Sequence, residues 1–206
     1  ETKALILAMG AQPRTLGLPE EEAFRGRGVS YCATCDGFFY KDRVVAVVGG
    51  GDTALSDAIY LSGYAKKVYL IHRRDEFRGS KILQDRVFDR ENIEIIWNST
   101  VAEIVAEDQV EGLILQDTVD NSEKQIQIDG LFVAIGIVPN SDLIKGKLKL
   151  SEAGFVIADE NMNTDIPGVF VAGDLRNKML WQLVTAAADG ALAATSAQNY
   201  IVENFE

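Results

Sequence analysis

The chain has 206 residues, enough for one large domain or two modest ones, and its 47% hydrophobic and 25% charged content is that of a folded protein, not a disordered one. A net charge of −11 with no basic stripe argues against nucleic acid or an anionic membrane as partner, so the acidity reads as solubility. Mean hydropathy is +0.02, no segment reaches the apolar length of a membrane span, and residues 1–15 lack a signal-peptide pattern, so a cytoplasmic protein is expected.

Residues 3–9 (K-A-L-I-L-A-M) predict a strand that ends at Gly10. Ala11 to Gly28 holds Pro13 and Pro19 and reads as a connection. The β-branched run 43–48 (R-V-V-A-V-V) predicts a strand buried on both faces, stopping at Gly49-Gly50-Gly51. Ala54, Leu55, Ala58, Ile59 and Leu61 follow at helical spacing over 53–62, with Gly63 as a stop, and 67–72 (K-V-Y-L-I-H) is the next strand. This is a βαβ unit. Ser80 is placed to cap a helix running to about Arg90, and 94–97 reads as another buried strand. Strands at 101–107, 110–116 and 124–129, with the polar turn Asp117 to Glu123, suggest an antiparallel meander. Residues 131–135 return to a buried strand before Gly136 and Pro139. Residues 155–158 and 168–173 are strand-like, and from about Gln182 the chain is Ala-rich and helical. Residues 1–14 and 139–206 are each too small and broken to bury a core alone, and read as two edges of one domain. No internal repeat is visible.

The only two cysteines are Cys32 and Cys35, in C-A-T-C. Such a pair closes almost no loop, so it is a poor structural staple. A zinc site would need more ligands, and the single histidine, His72, is far along the chain, so no metal is expected. A redox-active pair in a reducing compartment is the best reading.

The strand–Gly49-x-Gly51-x-x-Ala54–helix segment fits a dinucleotide fingerprint. Glycines admit the pyrophosphate to the backbone, and the helix start offers free N–H groups to its charge. An NAD site places an acidic residue near the end of the second strand, but this chain has His72-Arg73-Arg74, with Arg78 a turn later. Guanidinium groups suit a 2′-phosphate, so NADPH is the expected nucleotide.

Five blocks occur in order: C-A-T-C-D-G-F-F from Cys32, G-G-G-D-T-A from Gly49, H-R-R-D-E-F-R from His72, F-V-A-I-G-x-x-P-N from Phe132 and G-V-F-V-A-G-D from Gly168. Together they resemble the low-molecular-weight, bacterial-type thioredoxin reductase family over essentially the whole chain. The resemblance implies an α/β fold: a Rossmann-like NADPH-binding domain with an antiparallel β-meander at 15–138, flanked at 1–14 (incomplete) and 139–206 by parts of a second Rossmann-like FAD domain. It implies that a flavin takes a hydride from NADPH and reduces the CxxC disulfide, which then reduces thioredoxin. Cys35 would lie nearer the flavin, and Cys32 would attack thioredoxin. Asp36 matches the family's proton donor, although a turn or helix-cap carboxylate explains it equally well. NADPH contacts fall to Gly49, Gly51, Ala54, Arg73, Arg74 and Arg78, and further cofactor contacts to Asp52, Thr53, His72, Ile135, Gly136, Gly10 and Gly173. FAD contacts carry over to Asp174 (the ribityl-binding aspartate), Gln182 and Leu183 (beside the isoalloxazine). A homodimer is implied for the intact protein.

There are departures. Trp181-Gln182 stands where the family usually reads Arg-Gln, which removes a charge near the cofactors, and Ser56-Asp57 replaces a frequent Glu-Glu. The family's first glycine fingerprint, which binds the FAD pyrophosphate, precedes the first strand seen here. The expectation is that this stretch alone binds NADP without holding FAD or turning over, the intact protein being the enzyme. Competing readings are an NADP-binding module without turnover, the reductase component of a peroxide-detoxifying system, and a ferredoxin-fed reductase. C-A-T-C speaks against the second of these, and Arg73, Arg74 and Arg78 against the third.

Overall fold

The computed structural model describes residues 1–206. In chain order the elements are β1 (Leu5–Leu7), β2 (Ala11–Pro13), α1 (Pro19–Ala23), β3 (Val29–Ser30), α2 (Ala33–Asp36), β4 (Val44–Val48), α3 (Asp52–Ser62), β5 (Lys67–Ile71), α4 (Lys81–Phe88), β6 (Ile93–Ile96), β7 (Ser99–Ala106), β8 (Val110–Asp117), β9 (Glu123–Gln127), β10 (Gly130–Val133), β11 (Ile137–Pro139), β12 (Val169–Val171) and α5 (Leu183–Phe205). Short 3₁₀ turns cover Gly37–Tyr40, Asp142–Ile144 and Gly173–Leu175. The chain divides into two compact units, Pro13–Gly136 and Glu1–Gln12 with Ile137–Glu206.

The Pro13–Gly136 unit is built on a five-stranded, all-parallel sheet in the order β3-β10-β4-β5-β6. The β4 run V-V-A-V-V has no polar alternation because both of its faces are covered. Val45 and Val47 face a cluster with Leu55, Ala58 and Leu61 of α3 and Val87 of α4. Ala46 and Val48 face the opposite cluster, where Ile104, Leu113, Leu115 and Ile126 arrive from the β7-β8-β9 meander. The meander is antiparallel throughout, with Ile104 opposite Leu113 and Leu113 opposite Ile126.

The other unit pairs β1 with β12 in parallel. One cluster joins Leu7, Ile144, Leu148, Val156, Val171 and Leu175. A second joins Met162, Phe170 and Ala172 to Ala193 and Ala197 of α5. Segments too small to bury a core singly thus bury two modest ones together.

Several local expectations are revised. The Ala11 to Gly28 connection contains β2 and α1, with Pro19 at a helix start, where its missing N–H costs nothing. Residues 155–158 form no strand: Val156 makes only isolated bridges to Leu150 and Arg176. Ser80 sits at the α4 N-cap in extended geometry but makes no side-chain cap. Gly63 ends α3 in right-handed geometry, so the helix stops without a left-handed cap.

Asp57 lies half-buried on α3, and burial pushes its carboxyl up to about 6. A raised carboxyl binds its proton more tightly folded than unfolded, so its contribution is most favourable at low pH and is lost as pH rises through about 6. Asp57→Asn is therefore expected to gain on the order of 1–3 kcal/mol of unfolding free energy near pH 8, with the gain shrinking toward pH 4. Urea unfolding at both pH values checks this.

Candidate functional site

In the Pro13–Gly136 unit a cleft of about 730 Å³ opens at the carboxyl end of the parallel strands, where β4 turns into α3. The turn needs its glycines for two reasons. Gly49 has φ +152°, and a Cβ there would run into the Ala134 carbonyl oxygen and Ala54. A Cβ on Gly50 would strike the His72 imidazole. Gly51 is the N-cap of α3, where a Cβ would meet nothing within 4 Å, and no side chain occupies the first-turn N–H groups.

The Gly50 carbonyl accepts the N–H groups of Arg78 (2.8 Å) and Gly79 (3.1 Å), tying the arginine loop to the glycine turn. Arg73 and Arg78 line the cleft with Gly49, Gly51, Thr53, His72, Ile135 and Gly136. Arg73, Arg74 and Arg78 are exposed, and none of the three takes part in a salt bridge. Three unpaired guanidinium groups beside an open helix N-terminus make a strongly anion-attracting rim. His72 is buried, and its Nε2 has no hydrogen-bond partner. Burial, and then Arg78, Arg73 and Arg74, push its pKa below the usual imidazole value, against a backbone hydrogen bond at Glu76.

Three of the residues singled out in the sequence do not line this cleft. The Asp52 carboxylate turns to accept the Ser80 N–H (2.6 Å). Ala54 is fully buried beneath Gly49. Arg74 is exposed but lies outside the lining. Arg14 joins the lining, held there as its N–H donates to the Gly136 carbonyl (2.9 Å). Nothing in the Pro-containing connection announces that role.

In the same unit Cys32 and Cys35 form a disulfide. Cys32 is the N-cap of α2, and its sulfur accepts the Cys35 N–H at 3.2 Å. The Asp36 carboxylate accepts a hydrogen bond from the Ser30 hydroxyl (2.7 Å), and that same oxygen of Ser30 accepts the Cys32 N–H (3.1 Å). Next to the pair, the Tyr31 hydroxyl donates to Glu21 Oε1 (2.8 Å). Glu21 Oε2 accepts the N–H groups of Leu16 (2.7 Å) and Gly17 (3.1 Å), which satisfies a carboxylate only 2% exposed. Burial and Glu21 hold the Tyr31 phenol well above its usual range. Ser30 and Glu21 carry no motif and escaped the sequence reading.

In the other unit a smaller cleft of about 290 Å³ is lined by Gly10, Gly173 and Asp174 among alanines and Gly190. Asp174 Oδ1 is buried without a hydrogen-bond partner; Lys178 Nζ lies 3.5 Å away, an ion contact only. Small residues around an orphaned carboxylate oxygen suit a hydroxyl-bearing ligand. Gln182 forms a capping box with Thr185 at the start of α5, and Leu183 is 87% exposed; neither lines this cleft. Trp181 packs its ring against Phe155 at 5.2 Å, a packing role in place of a charge. Asp189, buried, binds Arg176 (3.1 Å), Lys178 (3.1 Å) and the Gly173 N–H (3.2 Å). Burial alone would raise its pKa, but the bonds from Arg176 and Lys178 outweigh that and hold the carboxyl low. A carboxylate within the Ala-rich first half of α5 is the sequence signal that could have flagged it.

A parallel sheet with a glycine turn, an arginine rim and a CxxC disulfide in one unit defines a nucleotide-dependent disulfide oxidoreductase scaffold. The model of the pyridine nucleotide-disulphide oxidoreductase family matches residues 1–191, and the chain belongs to that family. It is 47% identical over 212 residues to the thioredoxin reductase of Peptoclostridium acidaminophilum, covering 100% of this chain and 67% of that one. Against the thioredoxin reductase of Listeria monocytogenes the identity is 49% over 207 residues, covering 98% and 64%. Among solved structures, the thioredoxin reductase from Streptococcus pyogenes superimposes with a TM-score of 0.93 at 42% identity, covering 98% of this chain and 66% of that one. The chain thus spans about two thirds of the length of these relatives.

Two outcomes test the site. Gly50→Ala should be destabilised by roughly 1–3 kcal/mol in thermal or urea unfolding, because its Cβ must displace a packed imidazole. Thiol titration under denaturing conditions should find no free cysteine in the oxidised chain, and both Cys32 and Cys35 after mild reduction.

Proposed function

We propose that the complete protein is a thioredoxin-disulfide reductase that passes electrons from NADPH through FAD and the Cys32–Cys35 disulfide to thioredoxin. The observation that carries the reading is the pair of arginines without salt bridges, Arg73 and Arg78, that line the glycine-turn cleft in the same unit as the disulfide. The Pro13–Gly136 unit is the nucleotide domain in this reading, and Glu1–Gln12 with Ile137–Glu206 contributes to the flavin domain.

Each part then has a task. Gly49 and Gly51 admit the pyrophosphate, and the open N-terminus of α3 receives its charge. Arg73 and Arg78 grip the 2′-phosphate, with Arg74 adding field from outside the lining. In the smaller cleft, the orphaned Asp174 oxygen and its small neighbours fit the hydroxyl-bearing ribityl chain of FAD. When bound, the flavin supplies the conversion of a two-electron hydride donor into a reductant for a disulfide. Once reduced, Cys32 attacks the thioredoxin disulfide as a thiolate, Cys35 resolves the mixed disulfide, and Asp36 supplies the proton for the departing sulfur. No helix is long and apolar enough to cross a membrane, and a cytoplasmic homodimer of the complete protein completes the proposal.

The reading predicts cofactor preference in this chain itself. Arg73→Gln and Arg78→Gln should each weaken NADPH binding by roughly 1.5–3 kcal/mol and leave NADH binding nearly unchanged. Arg74→Gln should cost less. Calorimetry with both nucleotides is the measurement, and equal losses for the two would overturn the assignment.

A further inference from the structure

We propose that Ser30 is a positioning residue for disulfide exchange, its hydroxyl holding the Asp36 carboxyl and the Cys32 main chain in one fixed arrangement. The proposal rests on the reading of Asp36 as proton donor. Ser30 ends β3, and its Cα is registered opposite Phe132 of β10. Its residue exposure is 5%, so the hydroxyl works away from bulk water. The sheet therefore anchors a group that reaches into the CxxC turn.

A serine hydroxyl has one proton and two acceptor lone pairs. Here the oxygen accepts the Cys32 N–H at 3.1 Å and has two candidate acceptors for its proton, Asp36 Oδ2 at 2.7 Å and the Cys32 carbonyl at 3.4 Å. The carboxylate is the shorter, charge-assisted choice while Asp36 is ionised. When Asp36 carries a proton, the hydroxyl can rotate toward the Cys32 carbonyl and accept from the carboxylic acid instead. The same side chain thus serves both protonation states without moving the carboxyl. The Asp36 N–H donates to the Cys32 carbonyl at 3.1 Å, so the turn is closed from the main-chain side as well.

The reaction that exposes this is opening of the disulfide by dithiothreitol. One reductant thiolate attacks a sulfur of Cys32–Cys35, the S–S bond breaks, and the leaving cysteine sulfur takes the Asp36 proton. The second reductant thiol loses its proton, displaces the remaining cysteine, and closes the reductant into a cyclic disulfide. The second cysteine is protonated and Asp36 regains a proton from water. Two electrons and two protons pass from reductant to protein.

The test uses this chain, with opening rates measured by quenched thiol counting at one fixed pH and expressed per reductant thiolate. Ser30→Thr and Ser30→Val are nearly isosteric and differ in the hydroxyl. Threonine should keep the parent rate. Valine should lower the rate roughly three- to tenfold, because the carboxyl and the Cys32 N–H lose the hydroxyl that holds them. Ser30→Ala repeats the comparison if valine does not fold. Asp36→Asn should lower the rate at least as far, and adding Ser30→Val to it should slow the reaction no further. If Asp36→Asn leaves the rate unchanged, the proton-donor reading fails and this proposal with it. If Asp36→Asn lowers the rate but valine and threonine both keep the parent rate, the donor reading stands and Ser30 has no positioning role. An equal loss for valine and threonine, or a further loss when Ser30→Val is added to Asp36→Asn, would make Ser30 a packing residue only.

Discussion

The Gly50 carbonyl accepts two backbone hydrogen bonds, from Arg78 and Gly79, while the Gly50 Cα rests against the buried ring of His72. Three elements are thereby locked together: the end of β4, the end of β5 and the loop before α4. Each could be satisfied separately, but the close approach exists only because residue 50 has no side chain. The arginine rim inherits its position from this contact. Arg73 follows His72 directly, and Arg78 is held through its own N–H. A cluster of like charges is costly to gather at a surface, and main-chain hydrogen bonds hold it here without a salt bridge to any of the three arginines.

The redox pair is anchored by the same sheet. β3 ends at Ser30, two residues before Cys32, so the C-A-T-C turn springs from the carboxyl end of a parallel strand. Strand ends of this kind are where α/β proteins gather their chemistry, because each strand delivers a loop to one edge. Glu21 reinforces the arrangement from the other side, joining Tyr31 to the main chain of Leu16 and Gly17. A buried carboxyl with no cation in a salt bridge to it is tolerated because three donors satisfy its oxygens.

The Glu1–Gln12 and Ile137–Glu206 unit follows a different rule. Its clusters are small, and its most connected polar group is the Asp189 centre, where one buried carboxylate meets Arg176, Lys178 and the Gly173 N–H. Such a centre adds little net stability when complete, but losing one member strands the others. Its effect is to hold the Gly173–Leu175 turn against α5, which places Asp174.

Much of this was legible in the sequence because its signals are local. The β4–glycine–α3–β5 unit follows from β-branched runs, helical spacing and glycine within about thirty residues. The C-A-T-C spacing singled out the disulfide without coordinates, and the meander followed from polar turns between short apolar runs. The tertiary structure decided which side chains meet across the chain. Asp52 sits in the fingerprint yet turns to the Ser80 N–H, 28 residues on. Val156 has a strand-like composition, but without a continuous neighbour it makes only two bridges. Ser30 and Glu21 are ordinary residues by any local pattern. Each becomes a buried node only when folding removes water and brings donors from elsewhere in the chain, and a polar group's partners in a desolvated site are set by packing rather than by its neighbours in sequence.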